Sequence, residues 1–174
     1  MSERLPEHFE ANALARRGAR FSGSLALAQM PRLADSLQSP DGEVQVELEF
    51  ALDPDGLVVI RGRIGAQLAL TCQRCLESMT LPVDRSFTLG VVATEALAER
   101  LPESYDPLVD GGQPVSTRDM VEDELLLSLP LVPMHPAEQC PAAKQPPADG
   151  ESEQPERPAR ENPFAVLAEL KRKH

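Results

Sequence analysis

Between residues 43 and 50 the chain reads EVQVELEF, so that Val44, Val46, Leu48 and Phe50 alternate with Glu43, Gln45, Glu47 and Glu49. A period of two is that of a strand with one face in a core and the other in water. The turn-forming DPDG follows at 53–56,. Alternation then resumes with Val58, Ile60, Ile64, Ala66, Leu68, Leu70 and Cys72 on even positions, interrupted by Gly62. The pattern predicts a hairpin with a long second arm. Both arms bury even-numbered residues, so facing residues must have numbers with an even sum, and the loop must hold an odd number of residues or be corrected by a bulge. Either register brings Glu47 and Glu49 near Arg61 and Arg63 on the solvent face, which supplies these arginines with carboxylates. Met79, Leu81, Val83, Phe87 and Leu89 define a third strand, leaving 72–78 as the turn before it.

The remaining elements are shorter. PEHFEANALARR at 6–17 carries the start and stop signals of a helix, 21–27 alternates as a short strand, and Pro31 opens a helical turn over 31–37,. Thr94 is placed to cap a helix over 94–101, and residues 102–115 read as loop. STRDMVEDELLLSLP gives the best helix: Ser116 or Thr117 as cap, acids early, Pro130 as stop,. LVPMHP then runs extended. Residues 136–161 contain no Val, Leu, Ile or aromatic residue and many prolines, the composition of a flexible linker,. Behind it, NPFAVLAELKRKH has Asn162 as N-cap, Pro163 at the first helical position, and Phe164, Leu167 and Leu170 at three-residue spacing,. Lys171, Arg172 and Lys173 suit the C-terminal end of its dipole. A helix this short needs a surface to dock on.

The expected architecture is α+β: a mainly antiparallel sheet, a meander open or barrel-like, with helices packed on one side. Residues 1–135 form a single domain with 1–19 as an N-terminal helix or arm, 136–161 the linker and 162–174 a helical docking motif. The net charge of −11 changes the picture of partners. Asp35, Asp41, Glu43, Glu47, Glu49, Asp53 and Asp55 accumulate without an intervening Lys or Arg. Such a surface gains no general attraction for nucleic acid and suits a basic protein better. No signal peptide or membrane span is expected, and three cysteines do not make a secreted disulfide framework, so a cytoplasmic location is expected,.

Cys72 and Cys75 in LTCQRCLESM carry the most chemistry. The bland reading is a strand-ending turn in which Cys72 continues the buried face as a small hydrophobe. The sharper one is half of a zinc site, completed by His135 and Cys140 as the second ligand pair, with a loose spacing and Cys140 at the start of the linker. The first reading is preferred, so no cofactor is expected, with zinc as the one alternative. A redox pair is disfavoured because no helix N-terminus follows Cys75 to lower its pKa. Glu122, Asp123 and Glu124 read as a solvated acidic face on the helix, since neighbouring helical residues point different ways. No phosphate loop, nucleophile elbow or zinc-protease motif occurs, and no catalytic centre is expected,.

LTCQRCLESM, then MVEDELLLSLPLVPMHPAEQC, then the terminal NPFAVLAELKRK occur in the order seen in the YceD-type large ribosomal RNA subunit accumulation proteins, which this chain resembles from about residue 20 onward. The resemblance implies a bacterial cytoplasmic, non-catalytic ribosome biogenesis factor needed for accumulation of large-subunit (23S) ribosomal RNA. Some relatives have more cysteines in the second cluster, where this chain has His135 and Cys140. Two modes of action stay open. The preferred one is contact with the large-subunit precursor through a basic ribosomal protein or assembly factor, using the acidic body, Glu122 and Asp123, and the segment Asn162–Lys173 as a tethered anchor. The alternative is direct ribosomal RNA binding, with Arg16, Arg17, Arg20, Arg74 and Lys171–Lys173 as the basic groups, or a small zinc-binding adaptor built on the Cys/His set. No small-molecule substrate and no membrane contact are expected.

Overall fold

The computed structural model describes residues 3–144. The expected α+β class with a mostly antiparallel sheet is observed, and the sheet does not close into a barrel. Its centre is the alternating region: β3 (Arg20–Ala26), β4 (Glu43–Leu52), β5 (Val58–Thr71) and β6 (Ser78–Val92) form an antiparallel meander in sequence order. A short parallel strand flanks each side, β1 (Glu3–Arg4) beside β3 and β7 (Asp106–Val109) beside β6. A second, two-stranded sheet joins β2 (His8–Phe9) to β8 (Val115–Ser116). The helices are α1 (Ala11–Arg16), α2 (Pro31–Ala34), α3 (Glu95–Ala98) and α4 (Thr117–Ser128).

Register follows the parity argument. Val46 faces Ile64 and Phe50 faces Ile60, and the loop between the paired Leu52 and Val58 holds residues 53–57, an odd number. The Asp53 carboxylate accepts from the Asp55 and Leu57 amides (2.9 and 2.8 Å), which closes this loop. Glu47 faces Arg63 and Glu49 faces Arg61 as expected. The ion pairs, however, run to other strands: Arg63 binds Asp84 with two hydrogen bonds (2.9 and 2.8 Å), and Arg20 binds Glu49 at 2.6 Å.

The inner face collects Phe21, Val44, Val46, Leu48, Phe50, Ile60, Ile64, Leu68, Phe87 and Leu89 under Ala11 and Ala15 of α1 and Met120, Val121 and Leu125 of α4. Phe50 sits edge-on to Phe9 and Phe21, at centroid distances of 5.0 and 5.7 Å, the arrangement that ring quadrupoles favour. Gly62, which breaks the hydrophobic alternation, lies beneath Phe87, whose ring occupies the space a Cβ there would need. Gly65, on the outer face, has no such neighbour: the nearest atom to a Cβ is the Val83 carbonyl oxygen at 3.9 Å.

Several local expectations are corrected. The helix expected over 6–17 is confined to Ala11–Arg16, because His8 and Phe9 pair with β8 instead. The loop expected over 102–115 contains β7 and the start of β8, strands too short to show a period. The first residues of the segment expected as a linker, 136–144, have local structure. Pro136–Cys140 folds back on itself, with the Gln139 and Cys140 amides donating to the Pro136 carbonyl (3.0 and 3.1 Å), and a 3-10 turn spans Pro141–Lys144. The terminal docking helix expected over 162–174, and most of the expected linker, lie outside the described residues.

The two glycines make a paired test. Gly62→Ala should cost about 1–3 kcal/mol through overpacking against Phe87, whereas Gly65→Ala should be neutral or stabilising by up to ~1 kcal/mol, because alanine fits a strand interior better. Urea midpoints of the two variants measure this; equal shifts would contradict the packing of Phe87 over Gly62.

Candidate metal centre and the buried acidic helix

The β5–β6 ladder ends at Thr71 facing Ser78, and the turn that closes it carries Cys72 and Cys75. Its backbone is tightly tied: the Cys72 amide donates to the Glu77 carbonyl (2.9 Å) and the Leu76 amide to the Cys72 carbonyl (2.8 Å). Leu76 takes φ of 62°, a left-handed conformation that bulky residues rarely adopt, and its side chain is 73% exposed,. This turn aims both sulfurs to one side.

The second pair arrives on the segment after α4. The Gln73 amide donates to the Pro133 carbonyl (2.8 Å), and the His135 amide donates to Cys72 Sγ (3.4 Å). His135 Nδ1 lies 3.4 Å from Cys75 Sγ, and His135 Nε2 lies 3.2 Å from the Ser78 carbonyl oxygen. A carbonyl only accepts, so Nε2 carries the proton and Nδ1 presents its lone pair to the cysteines. Cys140 is fully buried beside Cys72 in a small apolar cluster with Leu70 and Met79. The donor atoms of Cys72, Cys75, His135 and Cys140 all lie within 4.8 Å of one another. The bland reading of Cys72 as a lone buried thiol therefore gives way to a Cys3His constellation, and Cys140 belongs to the packed body rather than to a linker.

The protonation of the sulfurs follows from their surroundings. Burial pushes the Cys72 thiol up, but the amides of Cys75, His135 and Arg74 pointing at its sulfur bring it down to about 5. The Glu77 amide lowers the Cys75 thiol, while burial and the neighbouring Cys72 and Cys140 outweigh it and leave Cys75 raised. A thiolate at Cys72 is a ligand in its reactive form.

The acidic run on α4 is corrected. Only Asp123 matches the expected solvated face; Glu122 and Glu124 are 1% and 4% exposed. Ser116 caps the helix by accepting from the Asp119 amide at 3.2 Å. Glu122 accepts the Leu33 amide (3.0 Å) at one oxygen and Arg32 Nε (3.0 Å) at the other, pinning α2 to α4, while Asp123 takes Arg32 Nη1 at 2.7 Å. Glu124 accepts from Arg85 Nε at 3.0 Å. Arg85 is the functional-looking residue that the sequence reading passed over; it stands on the inner face between Val83 and Phe87, where the one charged side chain in an apolar alternation signals a buried partner. Glu122 thus has internal structural partners in Arg32 and the Leu33 amide.

Burial raises the Glu124 pKa, Arg85 offsets part of that, and Asp106 and Asp123 add to the rise. Among the described residues no other group of three or more His, Cys, Asp or Glu side chains is placed to hold a metal ion, and no helix there is long and apolar enough to cross a membrane.

The body is an α+β sheet-and-helix fold in which a strand-ending turn and the segment after α4 bring three cysteines and a histidine together. The family model described as "Large ribosomal RNA subunit accumulation protein YceD" matches residues 60–171, and the chain belongs to that family. It is 41% identical over 162 residues, 91% of either chain, to the large ribosomal RNA subunit accumulation protein YceD of Haemophilus influenzae. No solved structure matches. The resemblance seen in the sequence is thereby shown.

The two buried glutamates should respond differently to substitution. Glu122→Ala leaves the buried Leu33 amide unpaired and should cost about 2 kcal/mol, read as a lowered urea midpoint, with Glu122→Gln losing less. Glu124→Gln should stabilise at neutral pH, because a carboxyl whose folded pKa is raised penalises the folded state when ionised. That advantage should shrink as pH falls through the folded pKa of Glu124 towards its ordinary value of 4.5. A stability gap that widens on acidification would contradict it.

Proposed function

We propose that this chain acts, like its Haemophilus influenzae relative by name, in the accumulation of large-subunit ribosomal RNA, and that it does so as a non-catalytic factor contacting a basic protein of the large-subunit precursor. The observation that carries the protein-contact part is the layout of charge. Five arginines of the body are paired with carboxylates: Arg20 with Glu49, Arg32 with Glu122 and Asp123, Arg63 with Asp84, Arg85 with Glu124 and Arg118 with Asp119. The acids outnumber the bases, 28 to 17, and Asp35, Asp41, Glu43, Glu47 and Asp55 of the body are exposed. Phosphate contact requires uncommitted cations and release of counterions, and a body of this charge repels a polyanion. It attracts and steers a cationic protein surface. Under this reading the Cys3His set has a structural part, and nothing in the body acts as a nucleophile or general base. Such a role places the protein in the cytoplasm.

Affinity capture of the tagged full chain from growing cells, divided and treated or not with ribonuclease, tests the reading. Basic large-subunit proteins should stay bound after the RNA is destroyed. Their complete release would make RNA the ligand or the bridge, and would be followed by replacing Lys171, Arg172 and Lys173, whose loss should then flatten the salt dependence of binding.

A further inference from the structure

The segment that follows α4 has little reason of its own to stay where it is. Leu131 is fully exposed, Val132 is 54% and Met134 44% exposed, so the large apolar side chains that would normally seat a segment point away from the body. Pro130, Pro133 and Pro136 remove three backbone donors,. The segment's hydrogen bonds to the body run to the turn at 72–78: the Pro133 carbonyl accepts from the Gln73 amide, Met134 Sδ from Arg74, Cys72 Sγ from the His135 amide, and the Ser78 carbonyl from the His135 ring. What the segment does bring is two buried or half-buried ligand atoms, delivered to the sulfurs of the turn.

The dimensions and chemistry of that meeting fit one kind of ion. For tetrahedral zinc, Zn–S of about 2.3 Å and Zn–N of about 2.0 Å place neighbouring ligand atoms roughly 3.6–3.8 Å apart. The Cys75 Sγ to His135 Nδ1 separation is 3.4 Å, and a set confined within 4.8 Å needs only small side-chain movement to close. Three sulfurs and an imidazole are soft and borderline donors, which select zinc over magnesium or calcium. The amides directed at Cys72 Sγ and the Nε2–H bond to Ser78 are outer contacts of the kind that orient ligands,. A disulfide between Cys72 and Cys75 would use neither Cys140 nor the His135 lone pair. The cysteines are all free thiols.

We propose that Cys72, Cys75, His135 and Cys140 hold one Zn2+, and that the ion is the clasp that fixes residues 130–140 against the end of the β5–β6 ladder. Four protein ligands leave no open position, so the ion does not activate water. The turn at 72–77 is shaped by its own backbone bonds and offers the first pair of ligands; His135 and Cys140 complete the set and bring the segment with them. The inference is independent of which partner the protein meets.

The test uses the full chain purified without chelators. Metal analysis should give about one zinc per chain. Exchange for Co2+ should give the intense visible bands of tetrahedral cobalt with thiolate charge transfer in the near ultraviolet. Cys75→Ser and Cys140→Ser should lose the bound zinc, while His135→Cys, which keeps a donor, should retain it with a shifted cobalt spectrum. Hydrogen exchange should then read the clasp. Removing zinc should accelerate exchange at the amides of Gln73, His135 and Cys140 at least tenfold, with the amides of β4 and the first half of β5 unchanged. A folded chain with well under one zinc, or a cobalt spectrum without thiolate bands, overturns the site. Full zinc with no change in exchange on its removal overturns the clasp.

Discussion

The pairing of β5 with β6 is the constraint on which the rest of the structure depends. Its register is continuous from Val59 facing Gly90 to Thr71 facing Ser78. Because the side-chain period is two, one slip anywhere along it would turn every inner residue to water. The register places Phe87 over Gly62, Arg85 beneath α4, and the turn at 72–78 at one end of the sheet. The candidate metal centre is therefore a product of the ladder: even-numbered burial along β5 delivers Cys72 to the interior as the last member of the row.

The helices are attached by a different principle. α2 is only four residues long and has no buried stripe beyond Leu33. Its position is set by the Glu122 carboxylate, which satisfies the Leu33 amide and holds Arg32. Buried carboxylates specify geometry while contributing little net stability, because desolvation opposes the attraction. Glu124 shows the cost directly in its raised pKa. Glu122 serves as hydrogen-bond acceptor for the Leu33 amide, a backbone group that would otherwise be orphaned,.

How much of this was legible in the sequence differs element by element. The alternation in 43–50 and 58–72 identified β4, β5, their loop parity and most of the core, since burial on one face leaves its mark at every second residue. β1, β2, β7 and β8 left no such mark, because strands of two to four residues cannot display a period. The acidic helix was found, but which of its three adjacent carboxylates are buried depends on α2 and β6, elements some ninety and forty residues away in sequence. For the Cys3His set, Cys72 and Cys75 were legible from their spacing and the turn they occupy. His135 and Cys140 were legible only as types. Their convergence requires the chain to fold back past three prolines, a tertiary fact that no local pattern encodes.

β6 is fifteen residues long, and β7 covers only Leu89 to Val92 of its outer side. The rest of that edge, from Ser78 to Thr88, has no strand partner among the described residues. A long bare edge is a template on which another copy could add a strand. Here Pro82 interrupts the row of donors, and Asp84 and Arg85 set charges beside it,. The same strand that anchors the fold thus carries, along its bare edge, the features that oppose edge-to-edge strand addition.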